Sequence, residues 1–438
     1  MAEISKKEKK GLSFSPEKIK LLKKEIQDIF SLKKSVEEAV NKNTSEAVES
    51  IFFGAIGLGA SDVHIEPEGG SAKIRLRMDG ILHDVIELQE KIQRDLLARI
   101  KLLAGMKLNV NDRPQDGRFS IFLEESEKEK ISVEVRVSTL PAEFGEATVM
   151  RILNPKSLIS LEELGLRKDL YELFVKEIHK PNGMIIITGP TGSGKTTTLY
   201  AFLNKIKSTE TKIITIEDPI EYHLNGISQT QVNPSQGYDF ASGLQSIMRQ
   251  DPDVILVGEI RDPKTCQISI QAALTGHLVF STLHTNDAAG TVSRLISLEG
   301  DVKNIGPAIN LAVAQRLVRK VCKKCSRQRT LSAEELKKIK NTLPENLQNE
   351  YKLNPLSKIS EIKGCENCNN TGYKGRVGIF EAIVFNDEIE KFILENPSIA
   401  AFKEKVVKEG MTTMKQDGFV KVLEGVTTIE EVEKTTGD

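Results

Sequence analysis

A glycine-rich segment at residues 189–196 has the residue types and spacing of a phosphate-binding loop. It reads Gly-Pro-Thr-Gly-Ser-Gly-Lys-Thr and fits the pattern G-x-x-x-x-G-K-[ST]. An apolar strand is predicted directly before it, at residues 184–188, and a helix is predicted to begin near Lys195. Glycines let backbone N–H groups approach phosphate oxygens, and the helix N-terminus adds partial positive charge. The flanking strand and helix disfavour the alternative, a glycine turn of chance composition.

This loop has groups for both a nucleotide and its metal ion. Lys195 can reach the β- and γ-phosphates, and the hydroxyl of Thr196 can hold Mg²⁺. We therefore predict a nucleotide bound together with Mg²⁺. The residues predicted to contact the nucleotide here are Gly189, Pro190, Thr191, Gly192, Ser193, Gly194, Lys195, Thr196 and Thr197.

Three carboxylates follow the next predicted strand, in Thr-Ile-Glu-Asp-Pro-Ile-Glu at residues 215–221. Side chains at the carboxyl end of a parallel strand point into the crevice where ligands bind. Glu217, Asp218 or Glu221 would polarise the attacking water or hold Mg²⁺ through a water molecule. The alternative is a helix-capping or turn cluster around Pro219, and spacing alone does not decide between the two.

A second acidic segment ends the apolar strand predicted at residues 254–257. It reads Gly-Glu-Ile-Arg-Asp from Gly258 and occupies the Walker B position, with Glu259 after a glycine where an aspartate is usual. Glu259 therefore either binds Mg²⁺ directly or acts on the water. Arg249 and Arg261 flank Glu259 in sequence, and we interpret them as phosphate or inter-subunit contacts rather than surface charges.

Two of the six histidines, His277 and His284, bracket the strand predicted at residues 278–282. A single histidine in such a strand is usually a satisfied core residue. Two histidines beside a nucleotide site instead favour sensing of the γ-phosphate. We therefore include both among the candidate site residues.

Four of the five cysteines form two C-x₂-C pairs. Two such pairs suit one tetrahedral Zn²⁺ held by four thiolates, and a redox C-x-x-C motif, the alternative, rarely occurs twice. The intervening segment is longer than in zinc ribbons, which predicts a protruding helical insert. The fifth cysteine, Cys266, falls on a predicted helix and is interpreted as an inert core thiol. The predicted zinc ligands are Cys322, Cys325, Cys365 and Cys368.

The elements that must position these groups fall into several segments. The parallel-strand signals predict an α/β domain, preceded by a smaller α+β domain with a mostly antiparallel sheet. The charged N-terminal residues, helical over 16–40, are interpreted as a solvated helix or tether. The predicted boundaries are 1–42 for the tether, 43–153 for the α+β domain, 154–160 for a linker, 161–315 for the ATPase core, 316–375 for the zinc segment and 376–438 for a helical C-terminal region.

Composition limits the partners of the chain. Its 438 residues carry a formal net charge of -1, so it has no bulk electrostatic reason to bind nucleic acid or an anionic membrane. No apolar run has the roughly 18 residues of a membrane span, and the Lys-rich N-terminus lacks a signal-peptide core. The sequence therefore predicts a cytoplasmic protein that meets the membrane only through partners.

Taken together, these segments resemble the ATPase family that powers type II secretion and type IV pilus assembly, the family of GspE and PilB. The resemblance covers nearly all of residues 58–438. Residues 60–67 resemble the opening of the family's PAS-like N-terminal domain, and residues 375–381 resemble its segment after the zinc site. The family's Walker A, Asp box, Walker B and His box match, in order, residues 189–196, 215–221, 258–262 and 276–284.

The resemblance implies a RecA-like P-loop ATPase core in a homo-hexamer at the inner membrane. Hydrolysis of Mg-ATP would drive assembly of a pilus or pseudopilus through an inner-membrane platform protein. In this family Glu221 would activate water, Glu259 would be linked to Mg²⁺, and Arg136 and Arg151 would reach the nucleotide from the N-terminal domain. The cysteines resemble those of assembly and secretion members rather than retraction motors.

The sequence departs from the family at two places. The further N-terminal domain that binds a membrane-anchored partner is missing or reduced to residues 1–42, and Gln245 stands where the family usually has an arginine. A DNA-conjugation or DNA-translocating P-loop ATPase is the first alternative, which the near-zero net charge disfavours. A non-motor zinc-binding module is the second, and the intact residues 194–196 with two acidic segments disfavour it.

Overall fold

The computed structural model describes residues 11–124, 126, 130–299 and 301–437. The chain divides into two compact units, the first comprising Met1–Ser157 with Cys365–Thr371 and the second Leu158–Gly364 with Gly372–Asp438. Within the described residues, none of the helices has both the length and the apolar character needed to cross a bilayer.

The first unit is a twisted sheet of seven strands covered by helices. Its strand order is β1-β5-β6-β7-β2-β3-β4, and every neighbouring pair is antiparallel except β1 with β5. This is the small α+β domain that the sequence predicts. The elements are β1 (Gly11–Phe14), α1 (Pro16–Glu25), α2 (Ile29–Val40), α3 (Thr44–Gly57), β2 (Asp62–Glu68), β3 (Ser71–Met78), β4 (Ile81–Gln89), α4 (Glu90–Ala104), β5 (Gln115–Glu124), β6 (Lys130–Ala142) and β7 (Gly145–Leu153).

Side-chain alternation fixes which face of this sheet is buried. Ala72, Ile74, Leu76 and Met78 alternate with polar residues along β3 and all face the core. Successive strand residues point to opposite faces, so the other face carries the polar side chains. The turn predicted at Asp79-Gly80 forms between β3 and β4 with positive φ at both residues.

The N-terminal segment is not the tether that the charge pattern suggests. Its residues 1–10 lie outside the described part of the chain, but β1 pairs with β5, and α1 and α2 bury an apolar stripe that includes Ile19, Leu32 and Val36. The part predicted to be helical over 16–40 forms two helices, because Asp28 caps the start of the second with its side chain. The described segment therefore belongs to the first unit's core.

The second unit is built on a seven-stranded sheet of order β10-β9-β11-β12-β8-β13-β16. All neighbours are parallel except β13 with β16, and β8, β9, β11 and β12 are buried along their whole length. The predicted parallel α/β core is confirmed. The strands are β8 (Gly183–Thr188), β9 (Ile213–Glu217), β10 (Ser228–Gln231), β11 (Val254–Val257), β12 (Leu278–Leu283), β13 (Ile309–Val321), β14 (Arg327–Thr330), β15 (Lys358–Glu361) and β16 (Tyr373–Val384).

Helices cover both faces of this sheet and form the C-terminal region. They are α5 (Lys168–Ile178), α6 (Lys195–Ile206), α7 (Phe240–Ile247), α8 (Pro263–Leu274), α9 (Ala288–Glu299), α10 (Ile305–Ala308), α11 (Ala333–Thr342), α12 (Glu345–Glu350), α13 (Asp387–Leu394), α14 (Ile399–Lys408), α15 (Met414–Leu423) and α16 (Ile429–Thr436). The predicted boundary at 315/316 cuts through β13, and the region from 376 begins as strand β16 rather than as a helix. Both strands complete the sheet, which is why the compact unit extends past the predicted core.

The segment between the two cysteine pairs does not protrude as an isolated helical insert. It forms the β14–β15 hairpin and helices α11 and α12, and Ile339 and Ile359 pack with Phe419 and Val432 of the C-terminal helices in one apolar cluster. A ten-residue helix with one apolar stripe cannot bury that stripe alone, so it packs against the nearest helices of the unit.

Candidate functional site

The predicted phosphate loop lies between β8 and α6, as the motif requires. Gly189, Gly192 and Gly194 have positive φ values of 147°, 80° and 91°. A Cβ atom on Gly194 would also lie 2.8 Å from Nε2 of Gln315. Glycine is needed at that position for both conformation and space.

Gln315 of β13 supports the loop from below, and the sequence pattern does not identify it. The last pair between β13 and β8 is Ala314 with Thr188, so β13 continues alongside the loop. Thr198 Oγ1 donates to Gln315 Oε1 at 2.8 Å, and a Cβ on Gly189 would lie 2.5 Å from the Gln315 carbonyl oxygen. A glutamine within an otherwise apolar strand is a sequence signal for a buried polar contact, but the sequence does not show which residue it contacts.

The Lys195 ammonium folds back onto the loop. Its Nζ donates to the carbonyl oxygen of Gly189 at 2.7 Å and to that of Pro190 at 3.2 Å. Burial lowers the pKa of Lys195, the negative charge of Glu259 opposes this, and the positive charge of Arg316 adds to it. The acidic residue after β11 and an arginine of β13 therefore both act on the lysine of the phosphate loop.

Glu259 joins three of the predicted site residues. Its Oε2 lies 2.6 Å from Arg261 Nε and 3.3 Å from His284 Nε2. These are ion-pair distances, but neither approach has the direction of a hydrogen bond, and Oε2 has no hydrogen-bond partner. The structure thus brings the ends of β11 and β12 together at the same edge of the sheet as the phosphate loop.

Three buried polar atoms near this loop make no hydrogen bond in the described structure. They are Ser193 Oγ, Glu259 Oε2 and Arg316 Nη1. Buried polar groups are nearly always paired, and an unpaired one costs about 1–3 kcal/mol. A hydroxyl, a carboxylate and a guanidinium are the groups that bind a phosphate chain and its metal ion.

Glu217 and Asp218, predicted to contact the cofactor, have different surroundings. Glu217 is 4% exposed and faces the core beneath α6. Its carboxylate accepts from the hydroxyl of Tyr200, from Thr215 Oγ1 at 2.5 Å and from Gln229 Nε2 at 3.2 Å. Asp218 is exposed and Glu221 is partly buried on the loop that follows. The glutamate at the strand end is thus held by neutral donors, unlike Glu259.

His277 and Arg249 lie at the opposite edge of the sheet from the phosphate loop. His277 directly precedes β12, and Gly183 at the start of β8 donates to its carbonyl oxygen at 3.1 Å. A six-residue strand is about 20 Å long, which separates His277 from His284 and from the loop. Arg249 lies in the turn Met248–Gln250 before β11 and donates to Ser246 Oγ at 3.2 Å. Within one chain, His277 therefore lies about one strand length away from His284 and the phosphate loop, and its role in the site stays a prediction.

Arg136 and Arg151 lie in the first unit, directly opposite each other on β6 and β7. Arg151 Nε is 3.2 Å from Asp62 Oδ1 and Arg136 Nε is 3.3 Å from Glu134 Oε1. Arg118 of β5 is the cross-strand neighbour of Arg136 on the other side. Directly paired residues share a face, so three arginines form a row across this sheet. Arg118 was not among the predicted site residues.

The four paired cysteines form one cluster. Their sulfur atoms lie within 4.8 Å of one another, and the Sγ atoms of Cys365 and Cys368 are 3.7 Å apart. Zn–S bonds of about 2.3 Å in a tetrahedron place sulfur atoms about 3.8 Å apart, so the cluster fits zinc. Cys266 lies on α8, fully buried, and burial raises the pKa of its thiol to about 12. It is the inert core thiol that the sequence predicts.

Comparison with known proteins finds relatives that are similar to this chain over most of its length. The type IV pilus assembly ATPase PilB of Pseudomonas aeruginosa is 40% identical over 417 residues, which are 94% of this chain and 71% of that protein. The type II secretion system protein E of Pectobacterium carotovorum subsp. carotovorum is 42% identical over 393 residues, 89% of this chain and 75% of that protein.

Solved structures share the fold. The pilus retraction motor PilT with bound ADP has a TM-score of 0.58 at 27% identity and covers 89% of this chain and 97% of its own. The ATPase DotB of Legionella pneumophila has a TM-score of 0.62 at 22% identity, covering 88% and 94% of the two chains. Residues 36–434 match the family model described as Type II/IV secretion system protein. The chain therefore belongs to the type II/IV secretion system protein family.

Proposed function

We propose that this chain is a motor that hydrolyses Mg-ATP to drive assembly of a type IV pilus or a type II secretion pseudopilus. The observation that carries the proposal is the phosphate loop between β8 and α6, at the edge of the sheet where Glu259 and His284 also lie. The printed names of the relatives, a pilus assembly ATPase and a type II secretion protein, support the process. The motor would act as a homo-hexamer in the cytoplasm, bound to an inner-membrane platform protein.

The residues of this edge divide the chemistry among them. Lys195 would neutralise charge that develops on the transferred phosphoryl group, while Thr196 and Glu259 would hold Mg²⁺. Glu221 is our candidate for orienting the attacking water, because Glu217 is already engaged by three donors. His284, which contacts Glu259, would keep that carboxylate in place. When nucleotide binds, Arg261 would leave its ion pair with Glu259 and bind phosphate oxygens instead.

Replacement of Lys195 by alanine tests the proposal. The variant should release phosphate from ATP only at background rate, with an unchanged circular dichroism spectrum. Lys176→Ala removes an exposed lysine of α5 and should keep the wild-type rate. Near-normal hydrolysis by Lys195→Ala would refute the assignment of the site. A second variant, Glu221→Gln, should bind Mg-ATP and turn over very slowly.

We propose that Arg136 and Arg151 contact the nucleotide from the first unit, because two adjacent arginines on one sheet face suit a polyphosphate. The double variant Arg136→Ala with Arg151→Ala should still bind nucleotide through the phosphate loop but lose turnover.

We also propose one structural zinc per chain, which Cys322, Cys325 and the second pair would hold. Metal analysis should find one equivalent, and a value near zero in folded protein would contradict this.

A further inference from the structure

Arg316 is an arginine of the second unit to which neither the motif nor the proposed mechanism gives a role. It follows Gln315 on β13, at the level where this strand passes the phosphate loop. Successive strand residues point to opposite faces, so Gln315 supports the loop from the side of α6 and Arg316 lies on the other side. There Arg316 Nη2 donates to the carbonyl oxygen of Asn286 at 3.0 Å. Asn286 is two residues beyond His284.

The positive charge of Arg316 is not matched by an acid. Among the described residues, no carboxylate forms an ion pair with it, although Glu381 and Asp287 lie near enough to influence its charge. Both acids are engaged elsewhere. Glu381 accepts from the backbone N–H groups of Ala288 at 2.8 Å and Met414 at 3.1 Å.

Asp287 is engaged in the same way. Its Oδ2 pairs with Lys403 Nζ at 3.0 Å, and its Oδ1 accepts from the N–H of Gly290 at 2.9 Å. Arg316 Nη1 remains buried without a hydrogen-bond partner. The guanidinium therefore donates through Nη2, while Nη1 has no acceptor among the described residues.

A part-buried cation without a partner is costly, and this one is close enough to Lys195 to repel it. The repulsion between these two cations is offset when a polyanion binds between them. The planar guanidinium can donate two parallel hydrogen bonds to phosphate oxygens in a fixed fork geometry, which a lysine ammonium lacks. The same side chain already holds the carbonyl of Asn286, in the segment that carries His284.

We infer that Arg316 is a second cationic ligand of the triphosphate within the same chain, that it favours ATP over ADP, and that it links the terminal phosphate to the His284 segment. This inference rests on the proposed function. The terminal phosphate gives ATP an additional charge for Arg316 to pair with. Replacement of Arg316 should therefore weaken binding of the triphosphate more than binding of the diphosphate.

The test compares nucleotide affinities of Arg316→Gln and wild type, measured by calorimetry with Mg²⁺ and either a non-hydrolysable ATP analogue or ADP. The loss of one charge-assisted bidentate contact should weaken the ATP analogue about 10- to 100-fold. The affinity for ADP should change less than about 3-fold, and Arg316→Lys should restore part of the preference because it keeps the charge. Lys320→Gln removes an exposed charge further along β13 and should change neither affinity.

Each other outcome is decisive. Equal loss of both nucleotides, or a lowered melting temperature with an unchanged ratio of affinities, would show that Arg316 only supports the fold and would overturn the inference. Unchanged affinity for both would also overturn it. If the wild-type chain binds neither nucleotide, the proposed function fails first, which separates the two failures.

Discussion

The second unit contains two groups of buried charges that differ in how completely they are paired. In its C-terminal part, the carboxylate of Asp417 accepts from Arg167 at 2.7 Å, from Lys421 at 3.1 and 3.2 Å, and from the Phe380 N–H at 2.8 Å. At the phosphate loop, by contrast, a hydroxyl, a carboxylate and a guanidinium each have one buried atom that makes no hydrogen bond in the described structure. Asp417 is thus satisfied by the fold itself, whereas the three groups beside the phosphate loop are held in place and keep hydrogen-bonding capacity for a ligand.

The largest expected effect falls on the incompletely paired group. Glu259→Gln should reduce ATP turnover at least about 100-fold, because the amide keeps the shape of the side chain but loses the negative charge that would bind Mg²⁺. The melting temperature should change by no more than about 2 °C. Phosphate release and thermal denaturation measure the two effects. Glu210→Gln, an exposed acid before β9, is the control and should match wild type.

The second effect falls on the completely paired group. Asp417→Asn leaves Arg167 and Lys421 buried without their anion and should reduce the free energy of unfolding by about 3–5 kcal/mol. Asp169→Asn removes the other, mostly exposed, partner of Arg167 and should cost less than about 1 kcal/mol. Urea denaturation compares them. Equal losses in the two variants would contradict the assignment of Asp417 as the buried anion that stabilises this group of charges.

A smaller effect decides to which group Glu217 belongs. Tyr200→Phe removes a hydroxyl donor from this buried carboxylate and should destabilise the chain by about 1–3 kcal/mol, with turnover nearly unchanged. The same denaturation and phosphate-release measurements apply. If the variant instead lost turnover and kept its stability, Glu217 would belong with the ligand-binding charges.

The smallest effect concerns the cysteines. Because burial raises the pKa of Cys266 to about 12, its thiol stays protonated at pH 8, and the thiolate needed for alkylation forms only as the pH approaches 12. Mass spectrometry after iodoacetamide treatment with a chelator at pH 8 should find the four clustered cysteines modified and Cys266 unmodified. Modification of Cys266 at the rate of an exposed thiol would contradict its placement in the core.

Much of this site could be predicted because it is local in sequence. The phosphate loop, the strand before it and the helix after it are contiguous in sequence. The spacing of the four cysteines likewise predicts a metal site. The position of His277 was also available, since a residue before a parallel strand lies at the edge opposite a loop that follows one. The interpretation of the two histidines as a pair did not take into account that one precedes the strand and the other follows it.

The remaining features depend on contacts between distant parts of the chain. Gln315 meets Thr198 across 117 residues, and Arg316 meets Asn286 across 30. No spacing rule connects them, because the sheet order sets which strands are neighbours. The role of Glu217 was undecided for the same reason. The carboxylate of Glu217 is held by Tyr200 and Gln229, which come from a helix and from another strand.

Strand β13 has a mechanical consequence. It runs without glycine or proline from the parallel core past the phosphate loop to Val321, next to the first cysteine of the cluster. From Gln315 to its end it covers about 20 Å. Beyond the loop, Arg319 pairs with Glu431 at 2.6 Å, and the Val321 N–H donates to the Val426 carbonyl at 2.9 Å. Apart from one irregularity between Arg319 and Val321, the strand is thus continuous hydrogen-bonded backbone that ties the phosphate-loop edge to the C-terminal helices, so we expect a shift of the loop to be transmitted to those helices.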